Sequence, residues 1–165
     1  MPELIVKSPA ECSNIEIGAF IAFVRAGGEV SIQGLPERIR SAAALVFGRI
    51  DGLVVGIAAL KQPQASYRHR VNSESGASIP AKDFPYELGW VYVSPESRNK
   101  GFSILLSQAA LAEGKGAGVF ATSRTDNIPM HRSLAKLGFE EIGSPYASGR
   151  GNHSLQVFAR RTASK

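Results

Sequence analysis

Apolar positions recur along the chain at strand spacing in some stretches and at helix spacing in others, and Gly and Pro mark the breaks between them. Leu4–Lys7 reads as a short first strand. In Ser8-Pro9-Ala10-Glu11, Ser8 is placed as an N-cap, Pro9 as the first helical residue and Glu11 as the partner that closes a capping box. The helix predicted from there has an apolar face of Cys12, Ile15, Ala19, Ala22, Phe23 and Ala26, and Gly27-Gly28 ends it. Pro36 opens a second, short helix anchored by Ile39. Ala44–Ile50 and Leu53–Leu60 are strands, and Asp51-Gly52 between them is a two-residue hairpin signal. Gln62 to Pro85 has no clear period. It carries three prolines, a Ser/Gly-rich patch and the cluster Tyr67-Arg68-His69-Arg70, and reads as a long solvated loop.

The second half is more regular. Glu87–Val93 is rich in aromatic and β-branched residues, as a buried strand is, and Ser94-Pro95-Glu96-Ser97 breaks it. Strict alternation would put Glu87, Gly89, Val91 and Val93 on one face. Phe102, Leu105, Leu106 and Ala109 fall at i, i+3, i+4 and i+7 on a helix that Gly114 stops. Gly118–Ser123 is the next strand. Asp126-Asn127 offers an N-cap, with Pro129 in the first turn, for a helix lined by Met130, Leu134 and Leu137 and ended by Gly138. Glu140–Gly143 and Leu155–Ala159 are the last strands, joined by the polar loop Ser144–Ser154. Helices interspersed with strands in this order predict an α/β or α+β sandwich with a mixed sheet.

Composition adds limits. The 165 residues, 44% hydrophobic and 20% charged, suit one globular domain over 1–165. The longest nearly apolar runs, Ile17–Val24 and Gly52–Leu60, are too short to span a bilayer, and the N-terminus lacks a signal-peptide pattern. One cysteine, Cys12, excludes an intrachain disulfide and reads as a packed core thiol, and three scattered histidines offer no zinc spacing. A reduced, cytoplasmic chain without a metal is expected. The net charge of +5 is uneven: residues 1–93 hold 9 basic and 9 acidic side chains, residues 94–165 hold 10 and 5. Basic charge on that half raises the local concentration of a polyanionic ligand. The Lys and Arg residues form no run and do not interleave with aromatics, so nucleic acid is a weak candidate despite a pI near 9.6. Gly114-Lys115-Gly116-Ala117-Gly118 follows a helix and lacks the spacing of a phosphate loop.

The chemistry concentrates after Glu87–Val93. A strand, a basic turn with a glycine and a helix make an anion site, because the first N–H groups of the helix lack partners within it and sit at its positive end. Gly101 lets an anion approach the backbone, and Arg98 and Lys100 add charge. The spacing Val91-x-Val93-x-x-x-x-Arg98-x-x-Gly101-x-Ser103 resembles the acyl-CoA signature of the GNAT superfamily of N-acyltransferases, with Ser103 a mild departure at the last position. Asn127 followed by Leu137-Gly138-Phe139 resembles the family's second landmark.

The resemblance implies a GNAT-like mixed, largely antiparallel sheet of six to seven strands. Helices would cover both faces, and the central pair Glu87–Val93 and Gly118–Ser123 would splay apart. It implies acetyl-CoA as co-substrate, bound by Val91, Tyr92 and Val93 and by Arg98, Asn99, Lys100, Gly101, Phe102 and Ser103, with Asn127 at the cofactor arm or a bridging water. It implies a small-molecule or peptide amine as acceptor. Loops near 62–85 would border the acceptor site, where Arg68 and Arg70 could meet an acidic group. Glu87 is the candidate general base, set against the plainer reading of a strand-end carboxylate held by an arginine or water. Where many members carry a tyrosine, seven residues after the helix-opening Asn, this chain has Leu134, so Tyr146 is the reserve proton donor to the leaving thiolate. A lone helical histidine such as His131 is more often a packing residue than a catalyst. A non-catalytic acyl-CoA sensor on the same fold is the alternative, and a homodimer stays open.

Overall fold

The computed structural model describes residues 1–28 and 30–163. Its strands are β1 Glu3–Lys7, β2 Ala44–Ile50, β3 Leu53–Lys61, β4 Tyr86–Val93, β5 Val119–Arg124, β6 Glu140–Ala147 and β7 Ser154–Arg160. Its helices are α1 Asn14–Gly27, α2 Leu35–Arg40, α3 Ala65–Ser75, α4 Phe102–Ala112 and α5 Ile128–Lys136. The strand order in the seven-stranded sheet is β1-β2-β3-β4-β5-β7-β6. The β1/β2, β2/β3, β5/β7 and β6/β7 ladders are antiparallel, and β4 runs parallel to β5. That parallel ladder is confined to Tyr86↔Val119 and Glu87↔Phe120. The fold is the mixed, largely antiparallel one expected from the sequence. The chain forms two compact units, Met1–Lys61 with Leu88–Glu113, and Gln62–Glu87 with Gly114–Lys165.

In the first unit, Asp51 (φ 52°) and Gly52 (φ 80°) form the hairpin turn that their sequence signals. The start of α1 differs from the expectation. Ser8 and Glu11 do form a capping box, but it opens only a 3-10 turn, Pro9–Glu11. A second box follows at once, in which Ser13 accepts from the Glu16 N–H and Glu16 accepts from the Ser13 N–H. The helix therefore runs from Asn14, and the stripe it buries is Ile17, Phe20 and Val24, while Ile15 is exposed. This phase places the larger side chains inside, with Phe20 edge-to-face on Phe47. Cys12 packs at the margin of that cluster, and burial pushes its thiol up. Helix α4 is seated through Leu106, whose two methyls lie 3.0 and 2.9 Å from where a Cβ would stand on Gly48 and Gly56. Only glycines leave that notch open.

Glu16 also holds Lys7 at 2.8 Å and Arg49 at 3.7 Å. The Lys7 bond, then the Ser13 N–H, pull its carboxyl from 4.5 down to about 2. A depressed carboxylate stabilises the fold above its unfolded value and loses that contribution as pH falls through the folded one. The expected result is a Tm that falls between pH 4.5 and about 2. In Glu16→Gln the slope in that window is shallower, and equal slopes in both proteins would contradict the assignment.

The second unit contains the clearest departure from the sequence reading. Residues 65–75 are not loop but helix α3, ended by Gly76 at φ 71°. Arg68 is buried, not solvated. Its guanidinium donates to the Ile79 and Phe84 carbonyls, both at 2.8 Å, and lies 5.3 Å from the Phe120 ring centre. The core beneath it is Val71, Ile79, Phe84, Phe120, Val157 and Ala159, flanked by Tyr67, Ile142 and Tyr146. Strand β6 also continues past the predicted end at Gly143. A register shift between Ile142 and Tyr146, with Gly143 at φ 68°, carries it on to Ala147, so the loop before β7 is shorter than Ser144–Ser154.

Candidate functional site

The turn after β4 has the geometry of an anion cradle. The Ser94 N–H donates to the Val55 carbonyl and ties down the strand end. Pro95–Ser97 then makes one 3-10 turn. Asn99 (φ 64°) and Gly101 (φ 78°) take left-handed backbone conformations, and Gly101 is the N-cap of α4 with no side chain capping the helix. Nothing lies within 4 Å of where a Cβ would stand on Gly101. Phe102 is buried and anchors the first turn, Ser103 is half-buried, and Lys100 is exposed. Arg98 is fixed rather than waving: its Nε donates to the Val93 carbonyl at 2.9 Å and its guanidinium lies 5.3 Å from the Tyr92 ring centre. An uncapped helix start beside two cations, with open space at the glycine, fits a pyrophosphate.

Strand β4 departs from the strict alternation expected of it. Trp90 has φ 51°. A Cβ on Gly89 would point at the Lys61 side chain, and Lys61 Nζ sits 4.3 Å above the Trp90 ring, so Gly89 and Trp90 turn the same way. Trp90 stacks edge-on to Phe20 and Tyr92 to Phe23, whereas Val93 is buried beside Gly56 and Leu106. Gly89 and Val93 therefore lie on opposite faces, not one. Val91 is half-buried.

In the second unit Glu87 is 2% exposed. The Tyr67 hydroxyl donates to Glu87 Oε2 at 2.7 Å and lies 3.5 Å from Thr122 Oγ1. Burial first, then the charge of Glu87, push the Tyr67 phenol well above its ordinary value. Tyr146, on β6, is pushed up to about 12 by burial, then by Glu87 and Glu74. The two catalytic candidates, Glu87 and Tyr146, thus fall within electrostatic reach of each other. The arrangement is a buried carboxyl hydrogen-bonded to one phenol, Tyr67, with a second, Tyr146, in the same cluster. Tyr67 was missed with the rest of α3. Its signal was there: Tyr67, Val71 and Ser75 fall at i, i+4 and i+8 before a helix-stopping Gly76.

Asn127 caps α5, its Oδ1 accepting from the Met130 N–H at 3.2 Å. Leu134 is fully buried. His131 is a packing residue, its Nε2 2.8 Å from the Arg124 carbonyl and its ring against Phe158. Among the described residues no cluster of His, Cys, Asp and Glu could hold a metal, and no helix is long and apolar enough to cross a membrane.

Residues 67–147 match the family model described as FR47-like protein. Over 62 residues the chain is 36% identical to "Uncharacterized N-acetyltransferase YnaD" of Bacillus subtilis strain 168, a match that spans 35% of this chain and 36% of that protein. The fold is shared with solved structures along nearly the whole chain. An acyl-CoA N-acyltransferase from Pseudomonas aeruginosa superposes with a TM-score of 0.65 at 15% identity, covering 97% of this chain and 99% of that one. The yncA protein of Salmonella typhimurium, solved with its cofactor acetyl-CoA, gives 0.68 at 15% identity, covering 100% and 96%. A ribosomal-protein-alanine N-acetyltransferase from Brucella melitensis gives 0.65 at 18% identity, covering 95% and 99%. These matches show that residues 67–147 resemble the FR47-like family model and that the chain shares the fold of solved N-acyltransferases along nearly its whole length.

Proposed function

We propose that the chain is an N-acetyltransferase that moves an acetyl group from acetyl-CoA to a primary amine, with residues 1–165 acting as one acyltransferase domain. The observation that carries this is the turn that follows β4, an uncapped helix start led by a left-handed Gly101 with open space where a side chain would stand. Acetyl-CoA supplies an activated thioester. Gly101, Phe102 and Ser103 at the start of α4, with Asn99, Arg98 and Lys100, hold its phosphates. The main chain of Val91, Tyr92 and Val93 pairs with the peptide-like arm as an added strand would, and positions a donor for the developing oxyanion. Asn127 contacts the arm or a water. Glu87 takes the proton of the incoming ammonium, which leaves a neutral amine able to attack.

Leu134 has no proton to give at the position where many members carry a tyrosine, and it is fully buried. The leaving thiolate is then protonated by water, with Tyr146 in reserve. A thiol with an ordinary pKa of about 8.5 leaves tolerably near neutral pH. Tyr146→Phe is therefore expected to change kcat by less than roughly tenfold, below the worth of a dedicated general acid. A loss of several hundredfold with CoA binding intact would give Tyr146 the role. The same leucine favours a second reading, a non-catalytic acyl-CoA sensor.

A thermal-shift and thiol-release screen tests the proposal, using acetyl-CoA with spermidine, kanamycin, free amino acids and a peptide with a free N-terminus. Acetyl-CoA at a hundredfold excess over Kd stabilises by about 2.7 kcal/mol, a Tm rise of roughly 5–10 °C. Transfer to any of these amines supports the enzyme. Binding without transfer to any of them favours the sensor. Salt-dependent binding to DNA or RNA with no CoA effect would overturn both. In this reading the chain works in the cytoplasm, without metal, membrane or nucleic acid.

A further inference from the structure

We propose that Tyr67 is a positioning residue for Glu87, holding the carboxylate in the orientation from which it accepts the amine proton. The inference rests on Glu87 being the base of the reaction proposed above. Three observations carry it. The 2.7 Å bond from the Tyr67 hydroxyl to Glu87 Oε2 is short, and a hydroxyl bonded to a carboxyl oxygen at this distance restrains its rotamer. The donor is itself held. The Tyr67 ring packs against the cluster of Val71, Ile79, Phe84 and Phe120, and the Arg70 guanidinium lies 5.7 Å from its ring centre. Its backbone belongs to a helix turn that Arg68 pins to the Ile79 and Phe84 carbonyls. Groups that act on the phenol include Glu87 on β4, Thr122 on β5 and Tyr146 on β6, and the Arg70 guanidinium on α3 faces its ring. Their combined effect, with burial, keeps the Tyr67 proton in place across the working pH range, so the phenol donates and never competes for the proton that Glu87 takes. A base held this way meets its substrate already oriented.

The test is Tyr67→Phe in the full chain, assayed with acetyl-CoA and the fastest amine of the panel. The expected result is a kcat lower by roughly tenfold to a hundredfold, with KM for acetyl-CoA unchanged. In a Glu87→Gln background the same substitution then costs nothing further, because a residue acting through another is non-additive with it. A kcat within twofold of wild type, or an equal loss in both backgrounds, would overturn the proposal. Tyrosine Cζ-labelled NMR gives an arm that needs neither activity nor a folded Tyr67→Phe. Replacing Glu87 by Gln removes the charge that raises the Tyr67 phenol, so its titration moves to lower pH, and an unmoved titration also overturns the pairing. Should the wild-type chain acetylate no amine while the phenol responds to Glu87→Gln, the pairing stands and the proposed enzymatic function is what fails.

Discussion

Glu87→Gln lowers kcat by roughly 10²–10⁴-fold, while the chain folds and binds acetyl-CoA as before. The amide is nearly isosteric with the carboxylate and can still accept from the Tyr67 hydroxyl, so the packing around this 2%-exposed side chain survives. It cannot take a proton. The shape of the pH–rate profile should change with it. Steady-state rates across pH, with CoA affinity measured separately, make the check. An active Glu87→Gln enzyme with an unaltered profile would leave a water chain, or the amine's own ionisation, to remove the proton.

Gly101→Val abolishes the Tm rise given by acetyl-CoA. Gly101 has φ 78°, where a β-branched residue is strained by about 1–3 kcal/mol. Nothing beyond its chain neighbours lies within 4 Å of where a Cβ would stand, so the added side chain extends into the approach an anion would use. The strain alone lowers the Tm of the free protein. The test is therefore the ligand-induced increment, or Kd by calorimetry. Unchanged CoA affinity would remove this turn from the binding site.

The parts of the fold that local chemistry determines were legible. The Asp51-Gly52 hairpin, the Pro95 break, the glycine turn at 101 and the Asn127 cap each depend on a few adjacent residues, and each stands where the pattern placed it. The errors lie where distant residues decide. Two capping boxes compete at the start of α1, and the choice falls to Ser13 because that phase buries Ile17, Phe20 and Val24. Helix α3 has few apolar residues and is fixed by Arg68, whose partners Ile79 and Phe84 are remote in sequence, so a charged side chain that reads as solvated is a buried tie. Tyr67 went unseen for the same reason. The proposed base could be picked from its place in the strand, but the hydroxyl that holds it belongs to a helix whose signature is short, Tyr67, Val71 and Ser75 ahead of Gly76.

The backbone at Trp90 amounts to a one-residue insertion. Gly89 and Trp90 face the same way, and Tyr92 and Val93 resume opposite sides after them. A chain one residue shorter at position 90 would alternate regularly and still leave Gly89, Tyr92 and Val93 on their present faces. Side-chain placement along β4 does not depend on the extra residue. What the insertion adds is curvature and local twist, at the expense of a left-handed φ for a bulky residue. Deletion scanning along β4 would thus separate two properties of the strand, which way its side chains point and how sharply its backbone bends, and Trp90 is the residue where they come apart.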